Sequence, residues 1–252
     1  MQLTVIGSGD AFCAAGALHS CYLLEHGGGA AMLECGPCVL AGMKRLGIDT
    51  GVPDAVFISH LHGDHFAGLP FLFLEYTYMN PRSRPLTLVG PVGIEERVFE
   101  LYNQLYLGME CRKVPFELDV VEARPGDTVE AAGLTAVAFE VPHNATPYSL
   151  GYRFASSEGA MLFSGDSSWT DEFVTQSRGT DLFLCECCCM EPTVPVHTSY
   201  REIHDNLDRL ECGRLLLTHL SAEVREVDQL EVERAYDGQT VAFGSAAQAE
   251  AR

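Results

Sequence analysis

Short β-branched and apolar runs, each bounded by glycine, proline or aspartate, recur along the chain. They predict strands over 3–6, 21–24, 31–34, 55–59, 86–89, 134–141, 150–154, 161–164, 181–185, 214–218 and 241–243. Between them, apolar positions repeat at helical spacing over 38–46, 67–79, 94–107, 171–176, 200–210 and 222–236, the last with its acidic residues turned to solvent. Hairpins come first and strands interleaved with helices follow, an order that predicts mixed sheets covered by helices on their outer faces. No Ser-, Pro- or Gly-rich linker and no fixed-period repeat divides the chain, so one α/β domain over 1–244 is expected, with 245–252 a frayed, flexible tail. The segment Phe71, Leu72, Phe73, Leu74, Tyr76, Tyr78 and Met79 is apolar almost all round. That implies burial on more than one face, the rim of a pocket, or a homodimer contact.

With 252 residues and 47% apolar content, the chain can bury a sizeable core without covalent staples. Its ten cysteines therefore read as reduced thiols of a cytoplasmic protein rather than as a disulfide framework. The amino terminus, MQLTVIGSGDAF, lacks the cationic and apolar segments of an export signal and reads as a first strand. No apolar stretch approaches the roughly 18 to 20 residues that a membrane span requires. Lys and Arg number 16 against 35 Asp and Glu, a formal net charge of −19. Phosphate contacts supply most nonspecific nucleic-acid affinity, so this excess repels polyanions and favours a small-molecule substrate.

Residues 55–70 read AVFISHLHGDHFAGLP, an apolar strand that runs into His60, His62, Asp64 and His65. In an extended segment His60 and His62 point to the same side, near enough to share one metal ion. His65 has the opposite parity and joins them only if the backbone turns, a freedom that Gly63 supplies. Once the chain has turned into a helix near Asp64, the aspartate and His65 can face a second ion beside the first. Three further candidate ligands stand where predicted strands give way to loops: His143, Asp166 in FSGDS and His219 in LLLTHLS. Five histidines and two aspartates satisfy two divalent cations while leaving room for water, and Asp166, with its two oxygens, is the natural bridge. Such donors suit Zn²⁺ best and leave Mn²⁺ and Fe²⁺ open.

These motifs resemble the metallo-β-lactamase-fold hydrolases. The resemblance spans nearly the whole chain, through IGSGDAF at the start, SHLHGDH at 59–65, PHNATPYSLGYRF at 142–154, FSGDS at 163–167 and LTHLS at 217–221. It implies a four-layer αββα sandwich with a dinuclear site where the two sheets meet. His60, His62 and His143 would hold one metal, Asp64, His65 and His219 the other, and Asp166 would bridge them. The β-lactamases of the fold commonly carry a cysteine where Asp166 stands, so the chain looks instead like the ribonuclease Z and phosphodiesterase branch. Glu186 in LFLCECC and His197 in VHTS resemble that branch's glutamate and its HST histidine, which contacts the scissile phosphate. The tRNA-processing members carry a long gripping arm between the positions that match His143 and Asp166. Here that interval is short and filled by strands, which points to a small phosphodiester, cyclic nucleotides among them, rather than to folded tRNA.

On this resemblance a metal-bridging hydroxide is the nucleophile, Asp64 orients it, and protonated His197, its proton affinity raised by Glu186, protonates the leaving alkoxide. Plainer readings stand beside these. His197 could cap the helix starting near Ser199, and Glu186 could be a structural carboxylate. Thioester or lactone hydrolysis on the same fold, and a noncatalytic metal-binding or RNA-associated protein, are the competing functions. Cys35 and Cys38 in CGPC, and the cluster Cys185, Cys187, Cys188 and Cys189, admit thiolate metal or redox roles but read first as small buried hydrophobes. His19, His26 and His204 belong to no motif and read as solvated side chains.

Overall fold

Alternation along a strand turns successive side chains to opposite faces, and this chain uses both faces of two sheets. The computed structural model describes residues 1–106 and 114–245. The first sheet holds β1 (Gln2–Gly7), β2 (Cys21–His26), β3 (Gly29–Leu33), β4 (Ala55–Phe57), β5 (Leu86–Pro91), β6 (Leu118–Ala123) and β14 (Thr240–Ala242), in the order β14-β1-β2-β3-β4-β5-β6. The second holds β7 (Thr128–Ala131), β8 (Leu134–Val141), β9 (Ser149–Ser156), β10 (Gly159–Phe163), β11 (Leu182–Glu186), β12 (Leu215–Thr218) and β13 (Glu233–Arg234), in the order β13-β12-β11-β10-β9-β8-β7. Both are mixed. Pairing is antiparallel from β14 to β3 and parallel from β3 to β6, then antiparallel from β7 to β10 and parallel from β10 to β13.

Between the sheets, Leu3, Val5, Tyr22, Leu33 and Phe57 meet Ala136, Tyr152, Phe154, Leu182 and Leu184. Phe57 lies edge-on to Tyr152 and Phe154, with ring centroids 5.5 and 5.0 Å away. The alternate residues Leu23, Met32 and Val56 face outward onto Val39 and Met43 of α1 (Val39–Arg45), Leu72 and Phe73 of α3 (Leu69–Leu74) and Val98 of α4 (Ile94–Leu105). On the other side, Phe183 and Cys185 pack against Phe173 of α5 (Glu172–Ser177), Ile203 of α6 (Tyr200–Asp205) and Val224 of α7 (Ala222–Glu226). The layers therefore stack as helix, sheet, sheet, helix. Cys35, Cys185 and Cys187 are buried in this packing.

Several elements differ from the pattern-based expectation. β6 and β7 were not expected: β6 is an edge strand carrying Asp119 and Glu122, which dilute its apolar signal, and β7 is only four residues long. The expected helix 67–79 is interrupted. α2 (Gly63–Phe66) ends before Gly68, α3 starts anew with Pro70 in its first turn, where a missing N–H is harmless, and Glu75–Met79 winds as a π-helix. Its Leu72, Phe73 and Tyr76 are buried, whereas Phe71, Tyr78 and Met79 are exposed. The expected helix 200–210 divides into α6 and a 3-10 turn, Leu207–Arg209. Residue 107 of the expected helix 94–107, and 246–252 of the expected tail, lie outside the described residues. Among the described residues, no helix is long and apolar enough to cross a membrane.

The expected helix 222–236 stops at Glu226, because the chain turns extended at Val227 and returns to pair with β12 as β13. Arg234 makes the early stop tolerable. Its Nη1 donates to the carbonyls of Val224, Arg225 and Val227 at 2.9, 2.8 and 2.7 Å, satisfying acceptors that the helix end leaves open. Arg234→Ala is expected to cost about 1–3 kcal/mol through those orphaned carbonyls. Urea unfolding measures it, and an unchanged midpoint would reject this account.

Candidate metal centre

β4 ends at Phe57, and the extended chain beyond it carries His60 and His62 before α2 begins with His62 as its N-cap. Asp64 and His65 thus sit on the first turn of a helix, rotated away from the two preceding histidines. His143 follows β8, Asp166 follows β10 and His219 follows β12. The structure brings all seven side chains together at one end of the sandwich. Ligand atoms of His60, His62 and His143 lie within 4.8 Å of one another, as do those of Asp64, His65, Asp166 and His219. Asp64 Oδ2 is 3.1 Å from His65 Nε2 and 3.4 Å from His219 Nε2. Asp166 Oδ2 is 3.2 Å from each of the same two nitrogens.

A layer of hydrogen bonds orients these rings. His143 Nδ1 donates to the Val196 carbonyl at 2.8 Å, which leaves the lone pair on Nε2, 3.2 Å from His62 Nδ1. His60 Nδ1 is 2.9 Å from Ser59 Oγ, and His60 Nε2 is buried with no hydrogen-bond partner. Behind His65, the fully buried Glu34 carboxylate stands 3.6 Å from Nδ1 and accepts from the Ser59 amide at 3.2 Å. Neither motif nor resemblance singled out Glu34. Its signal was an acid ending an apolar strand run, a position with no solvent to hold the charge. Glu34 and His219 both adopt left-handed backbone, φ 59° and 52°, a conformation non-glycine residues rarely take and one that gathers at functional sites.

Electrostatics divide the rings into two groups. Burial lowers the pKa of His60, His62 and His143, so these imidazoles are neutral at pH 7 and offer lone pairs. Burial opposes ionisation of Asp64 and Asp166 as well, but it is outweighed. Hydrogen bonds from His219 and His65 hold Asp64 well below the usual carboxylate range, and the charges of the same histidines do so for Asp166. Conversely, burial would depress His65 and His219, yet facing Asp166 they are held up, His219 at about 9. A divalent cation fits this donor set. It would take up the unpaired His60 Nε2 and exchange with the protons on His65 and His219 as the counter-charge to the two aspartates.

His197 and Glu186 form a second pair at the mouth of the cluster. His197 Nδ1 lies 3.1 Å from Glu186 Oε1 and 3.9 Å from Asp166 Oδ2. Burial would lower the His197 pKa, but the Glu186 hydrogen bond reverses the sign and raises it. His197 does not cap the helix that follows, because Ser199 does so in a capping box with Glu202. Thr198 Oγ1 donates to the Ser167 carbonyl at 2.7 Å, tying this loop to the turn that carries Asp166.

Over residues 1–239 the chain matches the family described as Anti-Pycsar protein Apyc1. It belongs to that family. Ribonuclease Z of Methanosarcina acetivorans is 30% identical to this Apyc1-family chain over 152 residues, which are 60% of the chain and 47% of that relative's own length. The Bacillus subtilis protein named "Probable metallo-hydrolase YhfI" is 26% identical over 227 residues, 87% of each chain. Its crystal structure, described as a metallo-β-lactamase fold protein, superposes with a TM-score of 0.75 at 24% identity, covering 96% of this chain and 99% of that one. Human tRNase Z, short form, superposes with a TM-score of 0.80 at 21% identity over the same shares. The Apyc1-family chain thus has the αββα metallo-β-lactamase fold, as the motif resemblance implied.

One glycine holds the Asp166 turn against its neighbours. Gly165 has φ +59°, and a Cβ there would come within 2.7 Å of the Leu150 carbonyl and 2.8 Å of Ser59 Cβ. Gly165→Ala is expected to destabilise the fold by about 1–3 kcal/mol. Thermal unfolding reads the loss, and a midpoint equal to wild type would show that the turn relaxes freely.

Proposed function

We propose that this chain is a hydrolase of small phosphodiesters working with two divalent cations, Zn²⁺ by preference. His60, His62 and His143 would hold one, Asp64, His65 and His219 the other, with Asp166 between them. Bound cations of this kind supply Lewis acidity toward a phosphoryl oxygen and toward attacking water. Asp64 accepts a hydrogen bond from that water and orients it. His197 keeps Nδ1 on Glu186 and delivers the proton on Nε2 to the departing oxygen, while the Glu186 charge stabilises the imidazolium.

The observation that carries the phosphodiester reading is the His197–Glu186 pair beside Asp166. An alkoxide leaving phosphorus at neutral pH needs a proton donor, whereas a thiolate leaving a thioester does not. Two further facts favour a small substrate, cyclic nucleotides being in the class. The net charge is −19, and the interval from His143 to Asp166 consists of β9, β10 and their short connections, with no inserted arm.

Stripping metal with a chelator is expected to abolish turnover of a nitrophenyl phosphodiester, and Zn²⁺ or Mn²⁺ to restore it. Undiminished activity in the stripped protein would end the metal mechanism, and preferential turnover of a thioester or lactone in the same panel would redirect the substrate class. His197→Ala should lower kcat by about 10²–10⁴ on a phosphodiester with an alkoxide leaving group and far less on the nitrophenyl ester, whose leaving group needs no proton. Equal losses on both would remove His197 as the donor. Glu34→Ala, which removes the carboxylate 3.6 Å behind His65 Nδ1, is expected to weaken metal affinity about 10–100-fold in chelator competition. Unaltered affinity would reduce Glu34 to a packing residue.

A further inference from the structure

Beside the candidate centre, and sharing no residue with it, Cys13 and His19 of the β1–β2 connection converge with Cys38, which precedes α1. We propose that these side chains form a separate site for one thiophilic divalent cation of the Zn²⁺ class, bound by two thiolates and one imidazole nitrogen with a fourth position open to solvent. Their ligand atoms lie within 4.8 Å of one another, and among the described residues this is the one such cluster that contains thiols. His19 Nδ1 stands 3.2 Å from Cys38 Sγ and 3.6 Å from Cys13 Sγ, and Cys13 Sγ is also 3.3 Å from Nε2. Tetrahedral zinc, with Zn–S near 2.3 Å and Zn–N near 2.0–2.1 Å, sets a thiolate about 3.6 Å from an imidazole nitrogen. The two Nδ1-to-sulfur spacings thus lie within about 0.4 Å of that value.

The surroundings suit that chemistry. Cys13 and Cys38 are free thiols, and all three residues are partly exposed, so a cation has a path from solvent. Binding releases one proton from each thiol, and the two thiolates balance the dication while His19 stays neutral. Burial and the neighbouring Cys38 both work against ionising Cys13 alone, a penalty that a bound dication offsets. Two sulfur donors select for the Zn²⁺ class over harder ions, in contrast to the nitrogen and oxygen donors of the larger centre. His19, which belongs to no sequence motif and reads from the sequence as a solvated side chain, is half-buried and in contact with both thiols.

The site also touches the larger centre through one residue. A Cβ on Gly36 would come within 2.6 Å of His19 Cβ and 2.4 Å of the Asp64 carbonyl, so only glycine lets the CGPC loop lie against both. Cys35 N donates to the His65 carbonyl at 2.6 Å from the same loop. A cation on Cys38 and His19 would tether the loop on which Asp64 and His65 rest.

Titrating reduced full-length protein with Co²⁺ tests the site, because a thiolate-to-cobalt charge-transfer band in the near ultraviolet cannot arise from histidine and carboxylate ligands. The band should saturate at one cobalt per chain and be lost in Cys13→Ser and in Cys38→Ser. Its absence in the wild type, or its survival in the double variant, overturns the proposal. It does so whether or not the larger centre binds metal. Should the variants fail to fold, alkylation of the wild type mapped by mass spectrometry decides. Zn²⁺ at about ten times its dissociation constant should slow modification of Cys13 and Cys38 about tenfold while leaving Cys212 unchanged. Equal rates with and without Zn²⁺ count against the site.

Discussion

Two carboxylates, the buried Asp166 and the half-buried Asp64, aimed at the same pair of imidazole nitrogens are the constraint around which this molecule is arranged. An ionised carboxylate taken out of water costs on the order of several kcal/mol unless cationic or hydrogen-bonding groups replace the solvent. Asp64 and Asp166 obtain those groups from His65 and His219, all within 3.4 Å. That is possible only because β4 of one sheet and β10 and β12 of the other, drawn from different thirds of the chain, end at one edge. The left-handed backbone at His219 and Glu34 marks where the chain is bent to complete the set.

Holding five imidazoles at fixed orientation requires a rigid scaffold, and the inter-sheet layer provides it. Tyr152 joins the two requirements in one side chain: its ring packs against Phe57 and Phe154, and its hydroxyl donates to the Ile58 carbonyl at 2.9 Å, two residues before His60. Glu34, Ser59 and the Val196 carbonyl then fix individual ring nitrogens. Each support is short-ranged, with Glu34 and Ser59 buried and the Val196 carbonyl partly so. Their effect is to set which nitrogen carries the lone pair, and so which donors face inward.

The chain's acidity and its armless sandwich act on what can approach. A net charge of −19 disfavours a long polyanion, and on the proposed function a single phosphodiester would be drawn in by the bound cations at close range. The thiol cluster at Cys13, His19 and Cys38 lies across Gly36 from Asp64, so a cation bound there would tie the CGPC loop to the segment that carries Asp64 and His65.

Local chemistry was readable in the linear chain wherever its signal is short. HxHxDH after an apolar run placed a donor cluster at a strand end, Gly63 foretold the turn, and the alternating runs located most strands. The αββα class followed from their order and from the motif resemblance. What could not be read depends on residues far apart in the chain. The helix expected over 222–236 ends early because Arg234, returning on a strand, reaches back to its carbonyls. Glu34 matters because folding sets it behind His65, and His19 because Cys13 of its own loop and Cys38 of another arrive beside it. Periodicity and motif spacing report covalent neighbours. A buried charge or a three-residue donor set is defined by through-space distance, which appears only once the sheets have paired.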